Sequence, residues 1–146
     1  MVGVSNDVSA PASTIPPVAG EKASGLKSLI YVVDDEPLVG KVVAMMLELE
    51  GFQIEFFPNP TLAFQAFAAA QPRPGLLLTD FFMESLNGME LIVQCKAVEP
   101  NLKTILYSGN AQPTVMGQYA VKPDFFIRKP FPPKVLIQAV QTLLAG

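Results

Sequence analysis

An α/β domain built on a parallel sheet is the fold class this sequence predicts, and three observations carry the prediction. Short apolar, β-branched runs recur along the chain from Ser28 onward and suit strands buried on both faces. Segments with helical spacing of apolar residues separate them, each bounded by Gly, Pro or Asn. Strand and helix therefore alternate strictly, and that alternation implies parallel pairing through right-handed crossovers.

Leu29–Val33 (LIYVV) is the first strand. Pro37 to Glu50 carries Leu38, Val42, Met46 and Leu49 at helical spacing and stops at Gly51, a residue suited to the left-handed position after a helix. Phe52 to Phe57 alternates as a second strand. Asn59 and Pro60 supply an N-cap and first-turn pair for a helix through about Gln71, and Pro72-Arg73-Pro74-Gly75 breaks it. Leu76 to Thr79 is a third strand ending in Asp80. A loop over 81–88 leads to a helix from about Met89 to Val98, and Lys103 to Tyr107 follows as strand four. A weak helix is expected around Thr114–Ala120, with Pro113 before it and Gly117 within it. Asp124 to Ile127 is strand five, and Pro133 to Leu144 is a last helix turning Leu136, Val140 and Leu143 inward.

The chain has 146 residues, half of them hydrophobic, which predicts one domain with a packed core. Residues 1–26 are rich in Ser, Ala, Pro and Gly and read as a flexible tail, leaving 27–146 as the folded unit with no second domain. Gly20 to Ser28 has glycine and lysine in an order near that of a phosphate-binding loop, but Leu26 separates Gly25 from Lys27 and no strand precedes. No basic-then-apolar leader and no long apolar run occur, so a cytoplasmic protein without membrane insertion is expected. Ten Lys and Arg against thirteen Asp and Glu give a net charge of −3, which argues against a dedicated nucleic-acid partner. There is no histidine, and Cys95 is the one cysteine. Zinc sites, Ser-His-Asp catalysis and disulfides within the chain are thereby excluded. Cys95 sits among Leu91, Ile92 and Val98 and reads as a buried structural thiol. Phe56, Phe57, Phe64 and Phe67 read as core.

In an open parallel sheet, chemistry gathers beyond the carboxyl ends of the strands. Asp34 and Asp35 end strand one, Asp80 ends strand three, Ser108 ends strand four and Lys129 ends strand five. Adjacent first and third strands bring three carboxylates into one cleft, where their repulsion calls for a hard divalent cation. Mg²⁺ takes a few carboxylate oxygens, a carbonyl and retained waters, and leaves room for a phosphoryl group.

The segments Val32-Val33-Asp34-Asp35-Glu36-Pro37, Leu77-Leu78-Thr79-Asp80 with Met83 and Gly88 behind, Leu106-Tyr107-Ser108-Gly109 and Phe126-Ile127-Arg128-Lys129-Pro130-Phe131 together resemble the receiver domain of two-component response regulators, of the stand-alone type. The resemblance implies a flavodoxin-like, doubly wound five-stranded sheet of order 2-1-3-4-5. It implies Asp80 as phosphoacceptor from a histidine kinase or histidine phosphotransfer protein in a phosphorelay, with slow autodephosphorylation and no other enzyme activity. It implies Mg²⁺ on Asp35, Asp80 and the Phe82 backbone carbonyl, with Asp34 acting through water. Lys129 and Ser108 would hold phosphoryl oxygens, Ser108 and Phe126 would form the switch, and the Lys129–Pro130 bond would be cis. An unidentified downstream protein would read the switched surface.

Some positions depart from the family's common pattern. Glu84 stands where Pro usually follows the loop Met, and Phe82 and Asn110 occupy positions that tune dephosphorylation. Phe126 replaces the commoner Tyr. With no hydroxyl to desolvate, and with the small Ser108 near it, its inward position should be favoured and the switch shallow. Two other classes fit less well: a phosphorylation-independent receiver-like binding module, and an Asp-nucleophile phosphatase, which needs an Asp-x-Asp pair where Asp80-Phe81-Phe82 stands.

Overall fold

The computed structural model describes residues 29–109 and 117–145. The tail read over 1–26, the Gly20–Ser28 segment, Asn110 and Pro113 lie outside the described residues. Among those described are five strands, β1 (Leu29–Val33), β2 (Gln53–Phe57), β3 (Leu76–Asp80), β4 (Lys103–Ser108) and β5 (Phe125–Arg128). Four α-helices join them: α1 (Pro37–Glu48), α2 (Pro60–Ala69), α3 (Gly88–Val98) and α4 (Pro133–Ala145). All pairings are parallel, as the alternation of strand and helix predicts, and the order is β2-β1-β3-β4-β5, as the resemblance implied. Of the weak helix expected around Thr114–Ala120, residues 114–116 lie outside the described residues, while Gly117 and Gln118 lie in 3-10 geometry.

Side-chain alternation along the strands splits the core in two. On one face Tyr31, Val33, Leu77 and Leu106 pack with Ala63 and Phe67 of α2 and Met89, Ile92 and Cys95 of α3. On the other, Ile30, Val32, Leu78, Ile105 and Tyr107 pack with Val43 and Leu47 of α1 and Leu136 and Val140 of α4. Every residue of the central β3, including Thr79 and Asp80, is buried. Each large apolar side chain so enclosed contributes about 1.5–3 kcal/mol relative to exposure, which is what holds the polar strand ends in place.

Helix boundaries follow local chemistry. The Asn59 side chain accepts from the amides of Thr61 and Leu62, with Pro60 in the first turn of α2. At α3, Asn87 accepts from the Glu90 amide while the Glu90 carboxylate accepts from the Asn87 amide, a complete capping box. The Asn87-x-x-Glu90 spacing carries that signal and starts the helix one residue before the expected Met89.

Helix α1 forms where the apolar spacing placed it, but that spacing does not mark its buried face. Leu38, Val42 and Leu49, three of the four residues at helical spacing, are exposed and Met46 is partly buried, whereas Gly40, Val43, Ala44 and Leu47 are buried. The physical reason lies in size. A Cβ on Gly40 would collide with the Phe56 ring, so this small face is the one that lets the helix backbone approach the sheet. In α4, Leu136 and Val140 are fully buried and Leu143 partly so, matching the expected inward stripe.

Candidate functional site at the carboxyl ends of the strands

Because β1 and β3 are neighbours, the acids that follow or end them meet. Carboxylate oxygens of Asp34, Asp35 and Asp80 all lie within 4.8 Å of one another. The three are held differently. Asp34 is fully buried; its Oδ1 accepts from the Glu36 amide at 2.9 Å and its Oδ2 from the Tyr107 hydroxyl at 2.7 Å. Asp35 sits at the rim, half-buried, and its Oδ2 accepts from the Glu84 amide at 3.1 Å. Asp80 is buried and its Oδ1 accepts from the Phe81 amide at 2.9 Å.

Lys129 enters from the loop between β5 and α4. Its Nζ lies 3.5 Å from Asp80 Oδ1 and 4.8 Å from the centroid of the Tyr107 ring. Its amide donates to the Ser108 carbonyl at 3.0 Å, which ties the loop to the end of β4. The Lys129–Pro130 bond is cis, as expected, and so is Gln71–Pro72, which the sequence reading did not anticipate.

Burial pushes the Asp80 carboxyl up to about 6; Lys129 opposes that shift and the nearby Asp34 charge adds to it. Burial and the Asp34 charge likewise raise the Tyr107 phenol above its ordinary range, so it stays a hydrogen-bond donor. Burial also pushes the Cys95 thiol up to about 12, in keeping with an inert structural cysteine.

Ser108 is fully buried at the end of β4, one residue beyond Tyr107, which pairs across the sheet with Asp80. Phe126 is half-buried and packs against the core face covered by α2 and α3. Its ring is therefore neither fully outward nor fully enclosed. The Phe82 side chain is 52% exposed and meets Phe81 edge-on at 4.8 Å. Gly88 is fixed by the site itself, because a Cβ there would collide with the Asp80 carbonyl.

The sequence reading missed two participants. One is Tyr107, a fully buried side chain whose hydroxyl had to find a partner. The other is the Glu84 amide, a donor that the proline common at this position lacks. As a donor set the cluster is all oxygen, without nitrogen or sulfur, and mainly buried. Such a set fits a hard divalent cation and not a soft one.

Comparisons with known proteins bear on the family and the fold. The family model for the response regulator receiver domain matches residues 30–141. The transcriptional regulatory protein FixJ of Rhizobium meliloti (strain 1021) is 34% identical over 114 residues, covering 77% of this chain and 54% of that protein. The transcriptional regulatory protein CssR of Bacillus subtilis (strain 168) is 33% identical over 117 residues, covering 79% and 50%. The chain thus spans about half the length of these relatives. Among solved structures, the receiver domain of NtrX from Brucella abortus superposes with a TM-score of 0.72 at 27% identity, covering 80% of this chain and 98% of that one. A CheY-like response regulator receiver domain protein from Methanospirillum hungatei JF-1 gives a TM-score of 0.74 at 25% identity, covering 82% and 94%. No helix among the described residues is long and apolar enough to cross a membrane. With a matched region that contains all three acids and Lys129, this chain belongs to the receiver-domain family of two-component response regulators.

Proposed function

We propose that residues 27–146 act as a phosphoacceptor, taking a phosphoryl group on Asp80 from the phosphohistidine of a kinase or phosphotransfer protein. The observation that carries this reading is the pairing of Asp80 Oδ1 with Lys129 Nζ at 3.5 Å beside two further carboxylates. An Asp80 oxygen attacks phosphorus in line. The N–P bond of the donor breaks, its electron pair returns to the imidazole nitrogen, and an acyl phosphate forms on Asp80. Lys129 neutralises one phosphoryl oxygen and the Ser108 hydroxyl donates to another. Asp35, Asp80 and the Phe82 carbonyl would hold Mg²⁺ directly, with Asp34 acting through water. When bound, that ion supplies charge neutralisation for the transferring group.

The signal then passes through Ser108 and Phe126 to a downstream protein. The apolar rim of Leu38, Val42, Pro130 and Phe131 beside Lys129 forms a groove of about 680 Å³ on which a phosphohistidine-bearing partner can rest. A cytoplasmic location fits a partner of that kind. The complete set of acids and lysine weighs against a phosphorylation-independent binding module. The test is intact mass after incubation with acetyl phosphate and Mg²⁺. One phosphoryl adduct is expected on the wild type and none on Asp80→Asn. An adduct that persists in Asp80→Asn would overturn the assignment.

A further inference from the structure

Tyr107 is the largest fully buried side chain of the described residues that also carries a polar tip. A phenylalanine would fill the same space without bringing a hydroxyl out of water, so the hydroxyl needs a reason to be there. Its partner is Asp34 Oδ2 at 2.7 Å. With the Glu36 amide on Oδ1 at 2.9 Å, each oxygen of the buried Asp34 is anchored by one donor. Rotation of the carboxylate is thereby blocked.

The same residue touches the cationic side of the cleft. Lys129 Nζ stands over its ring at 4.8 Å, and Phe131 braces that ring at 6.0 Å. Register explains how one side chain reaches both. Tyr107 sits directly opposite Asp80 across the sheet, and its carbonyl accepts from the Phe81 amide at 3.0 Å.

We propose that Tyr107 is a positioning residue of this site: its hydroxyl fixes the Asp34 carboxylate and its ring floors the Lys129 ammonium. The inference rests on the phosphoacceptor reading above. It assigns separable roles to the two halves of one side chain. The hydroxyl acts on metal affinity by fixing Asp34, itself an outer-shell group that would reach the ion through water. The aromatic face holds the lysine aimed at Asp80 through the attraction of a cation to a π-system.

Two variants separate the halves. Tyr107→Phe keeps the ring and removes the hydroxyl; Tyr107→Leu removes both. Mg²⁺ binding is followed by titration calorimetry, and phosphorylation by acetyl phosphate is followed at saturating Mg²⁺. Tyr107→Phe should weaken Mg²⁺ about 10-fold with little change in the saturated rate. Tyr107→Leu should add a fall of about 5-fold in that rate. In an Asp34→Asn background the effect of Tyr107→Phe on Mg²⁺ should vanish. A purely structural tyrosine would lower the melting temperature of both variants and leave the Mg²⁺ dissociation constant and this split unmoved, which overturns the inference.

A fourth measurement needs no variant. The Tyr107 hydroxyl proton of the wild type should be protected from exchange in NMR spectra and should shift on Mg²⁺ addition; an exchanging or unmoved proton overturns the inference even if Tyr107→Phe does not fold. Wild type that binds no Mg²⁺ and takes no phosphoryl group overturns the phosphoacceptor reading and this inference together. Wild type that does both, matched by Tyr107→Phe in Mg²⁺ affinity, overturns this inference alone.

Discussion

The units β1–α1 and β3–α3 are built alike, each a buried strand followed by an acid, a turn and a helix, yet they are finished differently. Helix α3 begins at a capping box of Asn87 and Glu90 and buries its large residues Met89, Leu91, Ile92 and Cys95. Helix α1 has no side-chain cap of its own at Glu36 and instead draws on the preceding acid, since Asp34 Oδ1 accepts the Glu36 amide. It buries small residues with Val43 and Leu47, and it leaves Leu38, Val42, Met45 and Leu49 exposed. The phase of α3 is set by hydrophobicity, and that of α1 by how closely its backbone must approach the sheet. A small residue at the contact can outrank a large apolar one in deciding which face turns in.

The two glycines that permit close approach give this contrast its sharpest test. At Gly88 the obstacle is the backbone carbonyl of Asp80; at Gly40 it is the ring of Phe56. A backbone at the end of a fully buried strand cannot give way, whereas the tip of a half-buried ring can turn aside. Gly88→Ala should therefore cost about 3 kcal/mol. For Gly40→Ala the strain is partly offset by the better helix propensity of alanine, leaving about 1 kcal/mol. Urea titrations of the two variants check the ordering, and equal losses would mean that α1 is held as rigidly as α3.

The acid that ends β3 gives a second test, through pH. The Asp80 carboxyl rises from 3.8 to about 6, chiefly through burial. A carboxyl whose folded value exceeds its unfolded value favours folding when protonated, so its charge costs stability at higher pH. Metal-free wild type should lose stability as pH climbs from about 4 through about 6 and then level off. Asp80→Asn, which has no charge to bury, should match it near pH 4 and exceed it by about 2 kcal/mol at neutral pH. Thermal melts in chelator across that range check the sign.

Most of the fold was legible in the chain because alternation at periods of two and of about 3.6 reports burial directly. The run LLLTD of β3 and the Asn59-Pro60 start of α2 needed nothing from the rest of the molecule. The acids and Lys129 were legible as well, since strand ends place them together once the strands are ordered. The orientation of α1 was not, because Gly40 gains its meaning only from Phe56 across the β1–β2 edge. Tyr107 was hidden for a similar reason. Its ring reads as strand core, and its hydroxyl acquires a role only through Asp34, 73 residues away in the chain. What sequence patterning misses here is the identity of a distant partner.

The exposed stripe of α1 offers the last and smallest stability effect, and the one with the clearest functional side. Leu38 and Val42 line the groove beside Lys129, Pro130 and Phe131 and are 81% and 55% exposed. An apolar stripe at helical spacing commonly faces a core, where polar replacement would cost several kcal/mol. By structure they touch water, so the double variant Leu38→Gln/Val42→Gln should stay within about 0.5 kcal/mol of wild type. Apolar groups left exposed beside the proposed phosphoacceptor make sense if a partner covers them during transfer. The variant should therefore accept phosphoryl groups from acetyl phosphate at the wild-type rate, because that donor needs only the cleft. Transfer from a phosphorylated histidine phosphotransfer protein should slow, because that donor must dock. An equal loss with both donors would place the damage in Asp80 and Lys129 instead, and a large loss of stability would return Leu38 and Val42 to the core.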